Sequence, residues 1–432
     1  MDMNGEAAPS SPEIPRLAEH LFRQEAGKMI SALTGIFGIH RLQLAEDVVQ
    51  ESLIRALQTW PYYGVPANPA AWLMQTAKNR ALDLLRREKS FHEKQDEIAA
   101  TLERMPEDGP QFDDEIRDHR LRLIFTCCHP QIPHDDRTLL ALKTLCGFGI
   151  PEIASAFLAS EAAVAKRLTR AKQKIQDQQI PYEIPAGNEL AERMDAVLQV
   201  IYLLFNEGYK ASSGDALVRA DLCEEAIRLA GHLAEHPRTD APRVHALAAL
   251  MLFNASRLPA RESPEGELLT LERQDRTRWD RQKIARGMLH LAHATRGDSL
   301  SEYHLQAGIA ACHATAPDDA STDWPRILAH YDHWVAQSRS PLVALNRAVA
   351  LAKVQGPEAA LEAIAAIPDR RLLESYHLYH AVLGDLALRL GREHEAADHF
   401  RQAIRQTPVE TERAFLTEKL NGCVGAGESV TR

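Results

Sequence analysis

The chain has 432 residues, a formal net charge of −10, 45% hydrophobic residues and 25% charged residues. That length predicts roughly three domains, and the composition is that of an ordinary globular protein. The acidic balance argues against a general polyanion binder, although a local basic face on an acidic body remains compatible with it. Six cysteines, none in a CxxC pair, do not make a disulfide framework in a chain this long, so a reducing cytoplasm is the expected compartment. The N-terminal segment lacks the basic-then-apolar pattern of a secretory signal. No apolar run approaches the ~20 residues a membrane helix needs, so no membrane partner is expected.

Almost every segment reads as helix, because Ala, Leu, Glu, Arg and Gln dominate and β-branched alternation is scarce. In "LAEDVVQESLIRALQTW" (44–60) the helical period turns Val48, Val49, Leu53 and Leu57 inward. Asp47, Gln50 and Glu51 are left as an acidic-polar outer patch, which repels DNA and suits a protein partner. "NPAAWLMQTAKNRALDLLRREK" (68–89) opens on an Asn-Pro signal for the start of a helix. Trp72, Leu73, Ala77, Leu84 and Leu85 supply its buried stripe. Lys78, Arg80, Arg86, Arg87 and Lys89 form a basic surface that includes Asn79. Just upstream, Trp60, Tyr62 and Tyr63 sit in a loop-like segment with Gly64, Pro66 and Pro69. Aromatic rings beside a basic helix suit unstacked bases, whereas Trp60 taken alone reads as a core plug.

Residues 88–118 are strongly acidic, with Pro106, Gly109 and Pro110, and read as a linker that is partly compatible with helix. Beyond it, "CCHPQIPH" (127–134) gathers Cys127, Cys128, His129 and His134. Adjacent cysteines chelate a single ion poorly, and Phe125 and Ile132 suggest a packed helix end, so no metal is expected. "GIPEIASAFLASEAAVAKRLTRAKQKI" (149–175) predicts two short helices. Pro151 suits a first turn, and Ile153, Ala154 and Phe157 form one apolar face. Ser160 is a good N-cap with Glu161 beside it. The second helix buries Val164, Leu168, Ala171 and Ile175 and leaves Lys166, Arg167, Arg170, Lys172 and Lys174 on a cationic side. This describes a helix-turn-helix whose second member enters the major groove. Leu158 occupies the turn position where Gly is usual, and a helical hairpin with a solvated charged face is the other reading.

A second linker, 176–189, contains Pro181 and Pro185. In the block that follows, "NRAVALAKVQGPEAALEAI" (346–364) resembles "LGDLALRLGREHEAADHFRQAI" (383–404). Their glycines lie 391 − 356 = 35 positions apart, near the tetratricopeptide (TPR) period of ~34. Small residues stand where paired helices would approach, and Phe400 is the large residue that follows. Asn206, Glu207, Gly208 and Tyr209, and likewise Gln274, Asp275, Arg276, Trp279 and Asp280, are polar groups beside apolar helices. They suit either a ligand site or a buried network joining helical layers. No Ser-His-Asp set, Gly-rich phosphate loop or HExxH motif is present, so neither an enzyme nor a cofactor is expected.

"AEDVVQESLIRAL" and "AWLMQTAKNRALDLLRR" resemble region 2, and "IPEIASAFLASEAAVAKRLTRAKQKI" resembles region 4, of extracytoplasmic-function RNA polymerase sigma factors of bacteria. "IYLLFNEGY" (201–209), "LERQDRTRWDR" (271–281), "TDWPRILAHYDHW" (322–334) and "SPLVALNRAVALAKVQGPEAAL" (340–361) resemble the long TPR-containing C-terminal extension of one subgroup. The resemblance implies an all-α chain in which region 2 spans 10–88, an acidic linker 89–117, helix-turn-helix region 4 118–176, and a TPR-like extension 190–425. It implies that Asp47, Gln50 and Glu51 dock on the clamp helices of core polymerase. It implies that the helix around Asn79 and Arg80, carrying Arg86 and Arg87, captures an extruded base of the −10 element. The helix that starts at Ser160 would read the −35 element through Glu161, Lys166, Arg167 and Arg170, some of them as phosphate contacts. The acidic linker would thread the polymerase's RNA path. Core RNA polymerase and promoter DNA are thus the expected partners, with a protein or peptide regulator at the extension, whose size and short connector favour an integral packing role. The acidic balance then has a reason, since polymerase supplies much of the DNA affinity. The other functional reading is a helix-turn-helix regulator with a TPR-like sensor that binds duplex DNA without polymerase.

Overall fold

The computed structural model describes residues 13–87, 113–157, 159–209, 218–263, 269–297, 299–407 and 410–429. Its chain divides into two compact units, Met1–Asp240 and Ala241–Arg432.

In the first unit, α1 (Glu13–Phe37), α2 (Leu42–Tyr63) and α3 (Pro69–Arg87) pack on one another. Ala26, Met29, Ile30, Leu33, Val48, Val49, Ala56, Leu73, Ala77 and Leu85 form their core. Asn68 caps α3, its Oδ1 accepting from the Ala71 N–H at 3.1 Å, as the Asn-Pro pair predicts. Trp60 is buried and meets Trp72 edge-on at 5.5 Å between ring centroids. The loop expected after Trp60 is instead the last turn of α2, which Gly64 ends with φ 83°. The buried Trp60 anchors that turn, and it leaves Tyr62 and Tyr63 83% and 86% exposed.

Next come α4 (Asp113–Cys127), α5 (His134–Cys146), α6 (Ile150–Ala156) and α7 (Glu161–Asp177). Gly147, left-handed at φ 70°, closes α5, its N–H reaching the Leu142 carbonyl. Ser160 caps α7, accepting from the Ala163 N–H at 3.2 Å. Val164, Leu168, Ala171 and Ile175 are buried along α7, the stripe its period predicts. The acidic stretch expected as a linker lies outside the described residues up to 112, and α4 takes its remainder. Two further helices, α8 (Gly187–Tyr209) and α9 (Ala220–Glu235), pack together and against α4 and α5. The first compact unit therefore extends past the proline-bearing connector.

The second unit is a run of helices: α10 (Pro242–Ala255), α11 (Arg281–Ala294), α12 (Glu302–Thr315), α13 (Trp324–Gln337), α14 (Pro341–Val354), α15 (Pro357–Ala365), α16 (His377–Arg389), α17 (Glu393–Gln406) and α18 (Glu410–Ser429). Consecutive members pack as pairs, and one device recurs in them. A Cβ added at Gly287 would press on the Phe253 ring, one at Gly308 on His330, and one at Gly384 on Phe400. A glycine on one helix thus admits a ring from its partner, which is the small-then-large pattern seen in the repeat. Gly356 and Gly391 both take positive φ, 96° and 72°, at the equivalent turns. No strand is present among the described residues.

Candidate functional site

Asp47, Gln50 and Glu51 lie exposed on one face of α2, and Gln43 Nε2 donates to Asp47 Oδ1 at 2.7 Å. The same face carries Ile54, 53% exposed, and Leu57, also exposed. At spacings of 3, 4, 7 and 10 from Asp47 these residues make an acidic stripe with apolar teeth, the composition of a protein-docking face. Leu57 was expected inward. Ala56 and Trp60 fill the core at that level instead, and Ile54 is a member of the face that the period alone did not single out.

The basic helix α3 stands next to it. Arg80 is ion-paired with Glu51, Arg80 Nη2 reaching Glu51 Oε1 at 3.4 Å, so the acidic face and the basic face are joined at one charge pair. Asn79 is exposed and accepts from Gln75 Nε2 at 3.0 Å, and Arg86 is exposed. Arg87 is the last helical residue; its side chain, like Lys89, lies outside the described residues. Lys78 departs from the expectation of a basic surface residue, being 6% exposed. It falls one residue after Ala77, at the edge of the buried stripe, where a long stem packs well.

On α7, Ser160, Glu161, Lys166 and Arg170 are exposed. Arg167 is mostly covered and donates from Nε to Asp136 Oδ1 of α5 at 2.6 Å. Lys172 is turned away from solvent too, ion-paired with Glu46 of α2 and donating to Gln43 Oε1 at 2.8 Å. Burial raises the pKa of Glu46, and Lys172 opposes that shift. The open cationic side is therefore narrower than the sequence predicts, with Lys166 and Arg170 at its centre. Phe157, expected on the apolar face of α6, is exposed, and Leu158 of the turn lies outside the described residues.

The rival sites resolve into packing. The Cys127 thiol lies 3.4 Å from the Thr144 hydroxyl, and burial pushes it up to about 12. His134 is exposed and bonded to Gln199 at 2.8 Å, and no group of three or more metal-ligating side chains occurs among the described residues. Gly208 takes the Arg219 N–H on its carbonyl at 2.8 Å, and a Cβ there would strike α9. Arg276 is buried, donates to the carbonyls of His313 (3.0 Å) and Ala316 (2.9 Å), and stacks 4.9 Å above Trp279. Asp275 caps a short 3-10 turn and Asp280 caps α11.

The sigma-70 region 2 family matches residues 21–91, and the sigma-70 region 4 family matches 122–175. The chain belongs to the sigma-70 family of RNA polymerase sigma factors. It is of the extracytoplasmic-function type with a C-terminal extension, and residues 193–295 of that extension match a family of unknown function, DUF6596. The sigma factor is 39% identical over 392 residues, 88% of its length and 90% of the other's, to the uncharacterized protein R00370 of Rhizobium meliloti. It is 29% identical over 154 residues, 35% of each chain, to the probable RNA polymerase sigma factor RfaY of Xanthomonas campestris. No solved structure matches it. As an alternative sigma factor it binds core RNA polymerase and promoter DNA and acts in transcription initiation. A helix-turn-helix regulator that works without polymerase is not favoured, since it has no use for region 2. Among the described residues no helix is long and apolar enough to cross a membrane.

Proposed function

We propose that the α2 face, Asp47, Gln50, Glu51, Ile54 and Leu57, docks on core polymerase, and that α3 with the exposed Tyr62 and Tyr63 holds the opened −10 strand. Asn79, Arg80, Arg86 and Arg87 are the strand-binding side chains, the tyrosines offering faces on which extruded bases stack. Unstacking costs a few kcal/mol per step and is offset by binding of the flipped base; no covalent step is involved. Region 4 reads the −35 element through Ser160, Glu161, Lys166 and Arg170, while Arg167, held by Asp136, sets the pitch of that helix. The acidic segment 89–117 occupies the polymerase channel built for RNA phosphates. The C-terminal helical extension modulates this activity through a protein or peptide partner, the use to which stacked helical pairs are suited. The protein works in the reducing cytoplasm, where six buried, unpaired cysteines stay thiols.

The observation that supports the reading best is the acidic-apolar face of α2, joined through Glu51 to the basic face of α3. Abortive transcription with purified core polymerase over a genomic promoter library tests it. Promoter-specific products that require both the protein and core are expected. Tight specific footprints by the protein alone, with no products, would favour the free regulator.

A further inference from the structure

The second unit holds a cavity of about 590 Å³ between α11, α12 and the first turns of α13, a volume suited to a small organic ligand. Its floor is one face of α12, where Gly308, Ala311, Cys312 and Thr315 recur at helical spacing. The small side chains on that face leave the space open. Gly308 also makes room for the His330 ring of α13, since a Cβ there would lie 2.6 Å from its Cε1 and Nε2. Met288 and Leu300 stand in the wall, 42% and 46% exposed, and nothing in the unit covers them further. Burial raises the pKa of the Cys312 thiol, which makes it a soft apolar surface rather than a nucleophile.

The charged and imidazole side chains that line the cavity are His304, Asp323, Arg326 and His330. The first two are committed within the protein. His304 accepts the Ser301 N–H on Nδ1 at 3.0 Å, and its Nε2 lies 3.1 Å from the Ala294 carbonyl. Asp323 caps α13, accepting the Arg326 N–H at 3.0 Å. Arg326 and His330, four residues apart and so on one face of α13, have no side-chain hydrogen bond or ion pair among the described residues. Burial first, then the charges of Arg326 and His333, hold the His330 pKa below its ordinary value, with Asp323 opposing. Its ring is therefore neutral near pH 7, with one N–H to donate. A second cavity of this unit, about 430 Å³, is lined by more cations, but they are spent. Lys353 pairs with Glu272, Arg273 with Glu418 and Lys419 with Asp385, and Arg389 donates to the Ala352 carbonyl at 3.0 Å. Between the two, it is the α12 cavity that keeps a cation and an imidazole unspent beside an apolar wall.

We propose that the α12 cavity binds a small apolar monocarboxylate, its carboxylate on the Arg326 guanidinium and the His330 N–H, its body along Met288, Leu291, Leu300 and Ala311. Charge decides the class. A carboxylate supplies the partner that Arg326 lacks and matches the planar guanidinium with two parallel bonds. A neutral body of the same size leaves Arg326 unpaired, and a cation meets it with like charge. A ligand with two negative charges finds one guanidinium and the Asp323 carboxylate at the same mouth, so a single charge fits best. The site lies wholly within the second unit and is independent of the promoter and polymerase surfaces. It gives the extension a small-molecule input, separate from a protein or peptide partner.

Titration calorimetry of the full-length protein with octanoate and with 3-phenylpropanoate tests this. Octan-1-ol and octylammonium serve as the same apolar body with no charge and with the opposite one. Saturable binding of one carboxylate per chain is expected, tighter than octan-1-ol by roughly tenfold or more, with octylammonium weaker still. The stronger of the two acids reads whether the wall prefers an extended chain or a ring. Arg326→Gln, at an exposed site, should bring octanoate down to the level of octan-1-ol while the unfolding midpoint of the free protein stays unchanged. Leu300→Asp, also exposed, should weaken both acids by placing a like charge at the mouth. Saturating octanoate should raise the unfolding midpoint of the second unit and leave that of the first in place. No saturable binding of either acid overturns the proposal. So does equal affinity for octanoate and octan-1-ol, which marks apolar partition only, and so does undiminished octanoate binding by the Arg326→Gln protein.

Discussion

Arg167 and Arg170 stand three residues apart on the same basic helix, and their surroundings differ. Arg170 is exposed, while Arg167 is tied to Asp136 on the neighbouring helix. Replacing Arg170 with Ala should weaken −35 binding by roughly 1–3 kcal/mol if a base contact is lost and leave the melting temperature unchanged. Arg167→Ala should lower the melting temperature as well, since Asp136 is left mostly buried without its partner, at about 1–3 kcal/mol. Calorimetry beside quantitative footprinting separates the two; equal melting temperatures for both variants would return Arg167 to direct DNA contact. Histidines of the second unit set its acid limit. His290 is held down to about 4, by burial first and then by the facing His245, Arg286 and His293. His313 is held down to about 4 by burial and by Arg257, Arg276 and Lys353. Unfolded, both take up a proton near the ordinary 6.5, so between about pH 6.5 and 4 the unfolded chain binds more protons than the folded one. Stability is therefore full above about 6.5 and falls as the pH drops toward 4. Urea midpoints of the second unit measured from pH 7.5 to 4.5 should decline, and His290→Gln should flatten the decline.

At the scale of elements, caps and ring-into-glycine contacts are the parts that determine whether single helices hold their places. Ser160→Ala removes the one side-chain acceptor at the start of α7 and should cost about 1 kcal/mol, read as an earlier unfolding midpoint for the first unit with the second unaffected. Phe400 is buried in the notch left by Gly384. Phe400→Ala should destabilise the second unit by about 3–5 kcal/mol, and Gly384→Leu should be at least as damaging, because the ring has nowhere to move. Differential scanning calorimetry resolves these losses as a shift confined to one transition. Much of this level was legible in the primary structure: the Asn68 and Ser160 caps, the Trp60 plug, the α7 stripe and the 35-residue repeat all follow from local spacing. The exceptions, Lys78 buried and Leu57 and Phe157 exposed, sit at stripe edges. There a rotation of a few tens of degrees exchanges inside for outside, and only the neighbouring helix determines it.

Across the whole molecule, the family is written in contiguous motifs, and two compact units are not. A chain stopped after Asp240 keeps α8 and α9 against α4 and α5 and should be soluble with one cooperative transition. A chain stopped after Gln179 loses Tyr182, whose hydroxyl lies 3.0 Å from the Ser31 and His119 carbonyls, and leaves Arg120, 1% exposed, without its partner Glu225. It should melt markedly lower or aggregate, as size-exclusion chromatography and calorimetry would show. The amino-acid sequence by itself determined the helical class, the two sigma regions and the residue types of both basic helices, because amphipathic period, caps and charge placement act within a few residues of chain. Only the tertiary structure decided which of those charges are spent inside the protein, such as Arg167 on Asp136 and Lys172 on Glu46, and that α8 and α9 belong with region 4. It also decided the Gly27–Leu145 approach, which joins residues 118 positions apart (145 − 27); such pairings depend on how helices stack, and no local pattern records them.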